Sequence, residues 1–143
     1  MRAFPDLDGR ASAFYGGVMS IPVDLDRLAA VLGDFPTAYL LTVGAAGKVK
    51  AVSADPVVHE GILVLQPSAG SARNLTANPA ATLLFPPPLP HGYALLVDGT
   101  ADADDTEIRF TPATAVLHRP ARHADGPPAP ESVEGCGNDC RPL

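Results

Sequence analysis

The residues best suited to chemistry lie in Ser68-Ala69-Gly70-Ser71, which opens into Arg73. A phosphate group is held by free N–H groups at a helix N-terminus, by hydroxyls and by a cation, and this stretch offers all three. Small residues there also let the backbone approach an anionic ligand. The alternative is that Ser71 merely caps a helix and Arg73 is a solvated surface residue. A second group sits near the C-terminus, where Cys136 and Cys140 follow His118 and His123. Nitrogen and sulfur ligands of this kind suit tetrahedral zinc, but the order His-x4-His before Cys-x3-Cys is that of no common zinc finger. The same cysteines could instead close a small disulfide ring or remain free thiols. Tyr39 and Tyr93 are candidates to stack on a planar ligand or to fill a core with the hydroxyl bonded. His91 reads as a solvated loop histidine, and Asp102, Asp104, Asp105 and Glu107 as a solvated acidic turn rather than a catalytic pair. There is no nucleophile elbow, Walker loop or dinucleotide fingerprint.

The elements that must position these residues follow from pattern. Asp24 is a good N-cap, Asp26 suits the first turn, and Leu25, Leu28, Ala29 and Leu32 fall on one helical face before Gly33. Short strands come next: Thr37–Val43, then a hairpin turn at Gly44-Ala45-Ala46-Gly47, then Lys48–Asp55. Pro56-Val57-Val58 leads to a turn at His59-Glu60-Gly61, and Ile62–Leu65 is apolar on both faces. Ser71–Asn78 reads as a short helix, ended by Asn78-Pro79 because a residue before proline resists the helical region. Ala81–Phe85 and Tyr93–Ala101 are further strands, the second with a bulge or bend at Asp98-Gly99. Glu107–Thr111 alternates, and Ala115–Leu117 pairs after a kink at Pro112.

Six or seven strands joined by short turns argue antiparallel pairing, and closing the sheet hides its edges. The expected fold is mainly β: an antiparallel split barrel with a leading helix and one short inserted helix. Residues 1–22 read as an irregular segment, 23–118 as the barrel domain and 119–143 as an extended Pro/Gly-rich tail.

Composition narrows the function classes. The 143-residue chain is 46% hydrophobic, which suffices for a core, and its net charge of −6 leaves ten scattered basic residues. That argues against nucleic acid, which needs clustered Lys and Arg. No signal peptide or membrane-spanning run is visible, and both cysteines lie in the last eight residues, so the reading is a cytoplasmic protein without membrane partners.

Three pieces carry a resemblance. Ser71-Ala72-Arg73-Asn74-Leu75, then Asn78-Pro79, then Thr82-Leu83-Leu84-Phe85 resembles the stretch after the third strand of the pyridoxamine 5′-phosphate oxidase-like superfamily. Members there often read Lys-x-Arg-Asn-Leu, then Asn-Pro or Asp-Pro, then a strand. The hairpin from Tyr39 to Val52 is similar to its first two strands, and Leu96–Ala101 to a later strand. The resemblance implies a flavin mononucleotide (FMN) held at a homodimer interface, with deazaflavin or haem in some relatives, or no cofactor at all. Carried over, Lys50, Ala51, Val52 and Ser53 would line the flavin ring and ribityl chain, Leu65 and Gln66 would close one side, and Gly70, Ser71 and Arg73 would sit at the phosphate. Where many relatives carry a lysine this chain has Ser71, and where the oxidases add an arginine it has Gly70. One or two charge-assisted contacts are thereby missing, for which Lys50 could compensate. The implied function is a flavin-dependent oxidoreductase acting on a small molecule or electron carrier, or a non-catalytic cofactor-binding or interaction module on the same fold. His118-Arg119 only superficially resembles the substrate site of the true oxidases.

Overall fold

The computed structural model of this chain describes residues 18–133. Eight strands form one antiparallel sheet: β1 (Val18–Val23), β2 (Ala38–Val43), β3 (Val49–Ala54), β4 (Val57–His59), β5 (Ile62–Leu65), β6 (Ala80–Phe85), β7 (Ala94–Ala103) and β8 (Ile108–Pro120). Helix α1 (Leu28–Leu32) follows a 3-10 turn at Leu25–Arg27, and helix α2 (Ala69–Ala77) connects β5 to β6. The strand order is β3-β2-β6-β7-β8-β5-β4, with β1 also on β8.

The split arises in β8. One side of this strand pairs with β7 along its length. The other side pairs first with β5, over Ile108–Phe110, and then with β1, over Ala115–Pro120. Pro112 falls in the gap between these two partners, opposite the register shift at Asp98/Gly99, so its missing N–H does not interrupt the outer ladders. The bulge expected at Asp98-Gly99 is therefore the point at which the sheet changes partners.

Alternation places one apolar residue in two inside the curl. Leu40, Leu63, Leu83, Phe85, Leu95, Val97, Ile108, Phe110 and Leu117 are all at most 1% exposed. Val31 of α1 plugs the same core, and Phe35 meets Phe85 edge-to-face at 6.3 Å. The β4–β5 hairpin turns at Glu60-Gly61, both in the left-handed region, as a tight two-residue turn requires.

Two boundaries differ from those read in the sequence. The irregular segment expected over residues 1–22 gives way at Val18 to β1, which is fixed by a long-range ladder rather than by any pattern of its own. The tail expected from Arg119 starts inside β8, and Val133 is buried in the core. The two expected strands on either side of Pro112 are one 13-residue strand. Cys136 and Cys140 lie outside the described residues, as do residues 1–17.

Candidate functional site at the mouth of helix α2

Helix α2 starts where the sequence places its polar residues. Ser68 is the N-cap, with extended backbone and a side chain that accepts from the Ser71 amide. The Ala72 amide bonds the Ser68 carbonyl at 2.8 Å, and the amides of Ala69 and Gly70 have no intrahelical acceptor. Lys50 lies across this mouth from β3. A Cβ built on Gly70 would fall 2.6 Å from Lys50 Cε and 3.1 Å from Nζ, so the glycine makes room for the lysine stem. Arg73 is exposed on the next turn and has no hydrogen bond or ion pair among the described residues.

The remaining expected residues are placed differently from one another. Lys50 and Val52 share one face of β3, and Val52 packs against the core. Strand alternation turns Ala51 and Ser53 to the other face, where both are exposed. Leu65 is 2% exposed and belongs to the core. Gln66 brackets Asp55, accepting from its amide at 3.0 Å and donating to its carbonyl at 2.9 Å, and so stitches the end of β5 to the end of β3. Ser71 is fully buried, its Oγ accepting from Ser68 Oγ at 3.1 Å. The hydroxyl left nearest the mouth is thus that of Ser68, because the helix begins two residues earlier than its sequence start at Ser71 suggests. Of the expected residues, the structure brings Lys50 against Gly70 and leaves Leu65 and Ser71 inside, while Arg73 lies exposed one turn further along α2.

Asn74 is a positioning residue that sequence reasoning did not single out by role. Its Nδ2 donates to Thr42 Oγ1 at 3.0 Å, and its Oδ1 lies against Gly44, where a Cβ would come within 3.1 Å. Thr42 is completely buried, so this bond fixes the helix against β2 and the β2–β3 turn. A threonine in the otherwise apolar run of β2 was the signal available.

Tyr93 does not face the α2 mouth. It is 7% exposed and lies beneath the Arg119 guanidinium, 4.0 Å from the ring centroid. His91, read as a solvated loop residue, stacks on His123. The acidic turn is organised by Arg109, which reaches Asp102, Asp104 and Glu107. Thr106, Arg109 and the Glu107 amide together hold the Asp104 carboxyl well below its ordinary range. Among the described residues no group of three or more His, Cys, Asp or Glu is arranged to hold a metal, and no helix is long and apolar enough to cross a membrane.

No family model matches this sequence. It is 39% identical over 135 residues to the uncharacterized protein Mb0449c of Mycobacterium bovis, a match covering 82% of this chain and 92% of that protein. Among solved structures, a Listeria innocua protein provisionally assigned as a pyridoxamine 5′-phosphate oxidase superposes with a TM-score of 0.54 at 13% identity, covering 65% of this chain and 96% of that one. An FAD-binding protein of Mesorhizobium loti gives 0.53 at 8% identity, over 72% and 98%. The FAD-binding protein of Mycobacterium smegmatis gives 0.50 at 14% identity, over 72% and 97%. Shared sequence with the mycobacterial protein and superposition on these structures give one conclusion: the chain belongs to the family of Mb0449c and has the split-barrel fold of the pyridoxamine 5′-phosphate oxidase-like superfamily.

Proposed function

We propose that this chain binds a flavin-type cofactor, FMN in the first place, at the mouth of α2, and serves as a flavin-dependent oxidoreductase for a small molecule. The observation that carries the reading is Lys50 lying over Gly70, with an exposed Arg73 one turn on that has no partner among the described residues. Lys50 and two free amides meet where the resemblance expects the phosphate, Arg73 follows one turn on, and Lys50 would compensate there for the lysine that many relatives carry at the position of Ser71. The donor set fits a phosphate ester: charge-assisted N–H donors, no opposing carboxylate among the residues named, and a glycine where bulk would block approach. Val52 and the β3 backbone would flank the isoalloxazine.

A single subunit presents this mouth on an open sheet edge. Val49 is 65% exposed on β3, and Val57 is 61% exposed on β4. Apolar side chains in that position favour a second copy as the missing wall, in agreement with a homodimer that shares the cofactor. A bound flavin supplies the hydride or electron transfer, and the protein supplies position, electrostatics and access. This division of labour accounts for a mouth lined by cations rather than by an acid–base pair.

The test is titration of the purified protein with FMN and with riboflavin, which lacks the phosphate. Lys50→Ala and Arg73→Ala are each expected to weaken FMN binding about tenfold, as loss of one charge-assisted contact does, and to leave riboflavin binding unchanged. Native mass spectrometry should show two chains with the cofactor. Equal losses for both ligands would remove the phosphate assignment. A protein that ignores FMN, FAD, deazaflavin and haem would remove the cofactor altogether. The second reading, a binding module without turnover, is favoured by the burial of Ser71, and would be recognised by saturable flavin binding without reduction by any electron donor.

A further inference from the structure

Between the end of β8 and Val133 the chain stays on the barrel. A 3-10 turn at Ala121–His123 is followed by a strap that crosses to the α1 side. There Ser132 donates from Oγ to Asp34 at 2.8 Å and accepts at its carbonyl from Arg27, and Val133 enters the core. Beneath the strap lies a cleft of about 270 Å³, walled by Phe35, Leu89, Tyr93, Pro127, Pro128 and Pro130.

The near end of the strap is fastened by a cluster of ionisable groups. His91 and His123 stack at 4.0 Å with ring planes 6° apart. Asp125 Oδ1 stands 3.4 Å from His91 Nδ1. Arg119, 5% exposed, donates from Nη1 to the carbonyls of His91 and Pro127. His91 itself sits at φ 61, in the left-handed region. Packing is close enough that a Cβ on Gly126 would lie 2.1 Å from the His91 carbonyl oxygen.

We propose that the stacked His91–His123 pair is an acid-sensitive clasp, which keeps the strap docked over the cleft while His123 is neutral and releases it when His123 takes up a proton. Asp125 stands beside His91, the other ring of the stack. A proton on His123 would place its charge against the stacked His91 ring, with Arg119 and Arg122 adding positive charge and Asp125 the opposing carboxylate among the described residues. Loss of hydration, then the His91 charge, then Arg122, hold His123 below the ordinary imidazole value. The docked strap therefore prefers neutral His123. Docking is strongest above about pH 6.5, the value of a free imidazole, and weakens as pH falls below it until the docked group also titrates. Release would open the cleft and expose Tyr93.

Hydrogen exchange tests the clasp, with rates corrected for the intrinsic pH dependence. The reporters are the amides of Ala124, Gly126 and Val133, bonded to Ala121, His123 and Pro130. Their protection should fall about tenfold between pH 7.5 and pH 5.0, for each unit by which docking lowers the pKa, while β7 amides stay unchanged. His123→Gln should flatten the profile. Strap protection that is constant with pH, or an undiminished fall in His123→Gln, would overturn the proposal. If that variant loses the strap at every pH, Asp125→Asn is the deciding measurement: release should move to higher pH, and an unmoved midpoint would overturn the clasp as well.

Discussion

Replacing Gly99 by alanine should be among the most damaging single-methyl changes this fold can receive. A Cβ at Gly99 would stand 2.1 Å from the carbonyl oxygen of Thr111, 3.0 Å from its carbonyl carbon and 3.1 Å from Phe110 Cε1. Carbon–oxygen contacts settle at about 3.3 Å, so β7 and β8 would have to part by about 1.2 Å. They would part at the bulge, where Gly99 pairs with Ala81 on one side and Pro112 on the other, in the middle of the sheet. Overpacking of this kind costs about 1–3 kcal/mol, and one or two weakened ladder bonds add about 1 kcal/mol each. The sum, about 3 kcal/mol, is a large part of the 5–15 kcal/mol that holds a typical domain together. In urea unfolding it corresponds to a fall in midpoint of about 2 M at an m-value of about 1.5 kcal/mol/M. The control is Gly47→Ala. Gly47 has φ +82 but nothing within 4 Å of the added methyl, so only the backbone penalty of about 1 kcal/mol applies. Equal midpoint losses in the two variants would refute the argument, because they would mean that the bulge can widen freely.

Thr42→Val keeps the shape of a fully buried side chain but leaves Asn74 Nδ2 without its acceptor, so a loss of about 1–2 kcal/mol is expected, together with weaker flavin binding as α2 loosens from β2; thermal melts and FMN titration report the two effects. The Asp104 carboxyl is held below its ordinary 3.8, first by the Thr106 hydroxyl and then by the Thr106 amide and Arg109. Its contribution is therefore present above about pH 4 and is lost as pH falls below that value. Asp104→Asn should lower the melting temperature at pH 7 and make it less sensitive to acidification towards pH 3, whereas a parallel acid profile in wild type and variant would count against the turn network. In FMN titrations at rising salt, wild-type affinity should fall more steeply than that of Lys50→Ala, since screening acts on the charge that the variant lacks. Identical salt slopes would place Lys50 away from the anion.

Much of the architecture was legible in the chain. Alternating apolar residues, Gly and Asn-Pro punctuation and the Ser68-to-Arg73 stretch marked strands, turns and helix α2, because these depend on local period and local backbone preference. The bulge at Asp98-Gly99 was readable for the same reason: glycine in a long strand marks a close approach of backbone. Strand β1 was not readable. Val18–Val23 has no pattern of its own and is ordered by pairing with a strand nearly a hundred residues away. The continuity of β8 through Pro112 was equally hidden, since it depends on which neighbours lie to either side of it.

The sequence by itself determined which chemical groups are available: a lysine on a strand, an arginine one turn into a helix, small residues between them, and scattered histidines. Only the tertiary structure decided which of them meet. It folds Lys50 over Gly70, buries Ser71 behind Ser68, and brings His91 to His123 across 32 positions of chain. Spacing along a chain fixes faces within one helix or strand. Contacts between elements depend on sheet register and loop path, which no local pattern encodes.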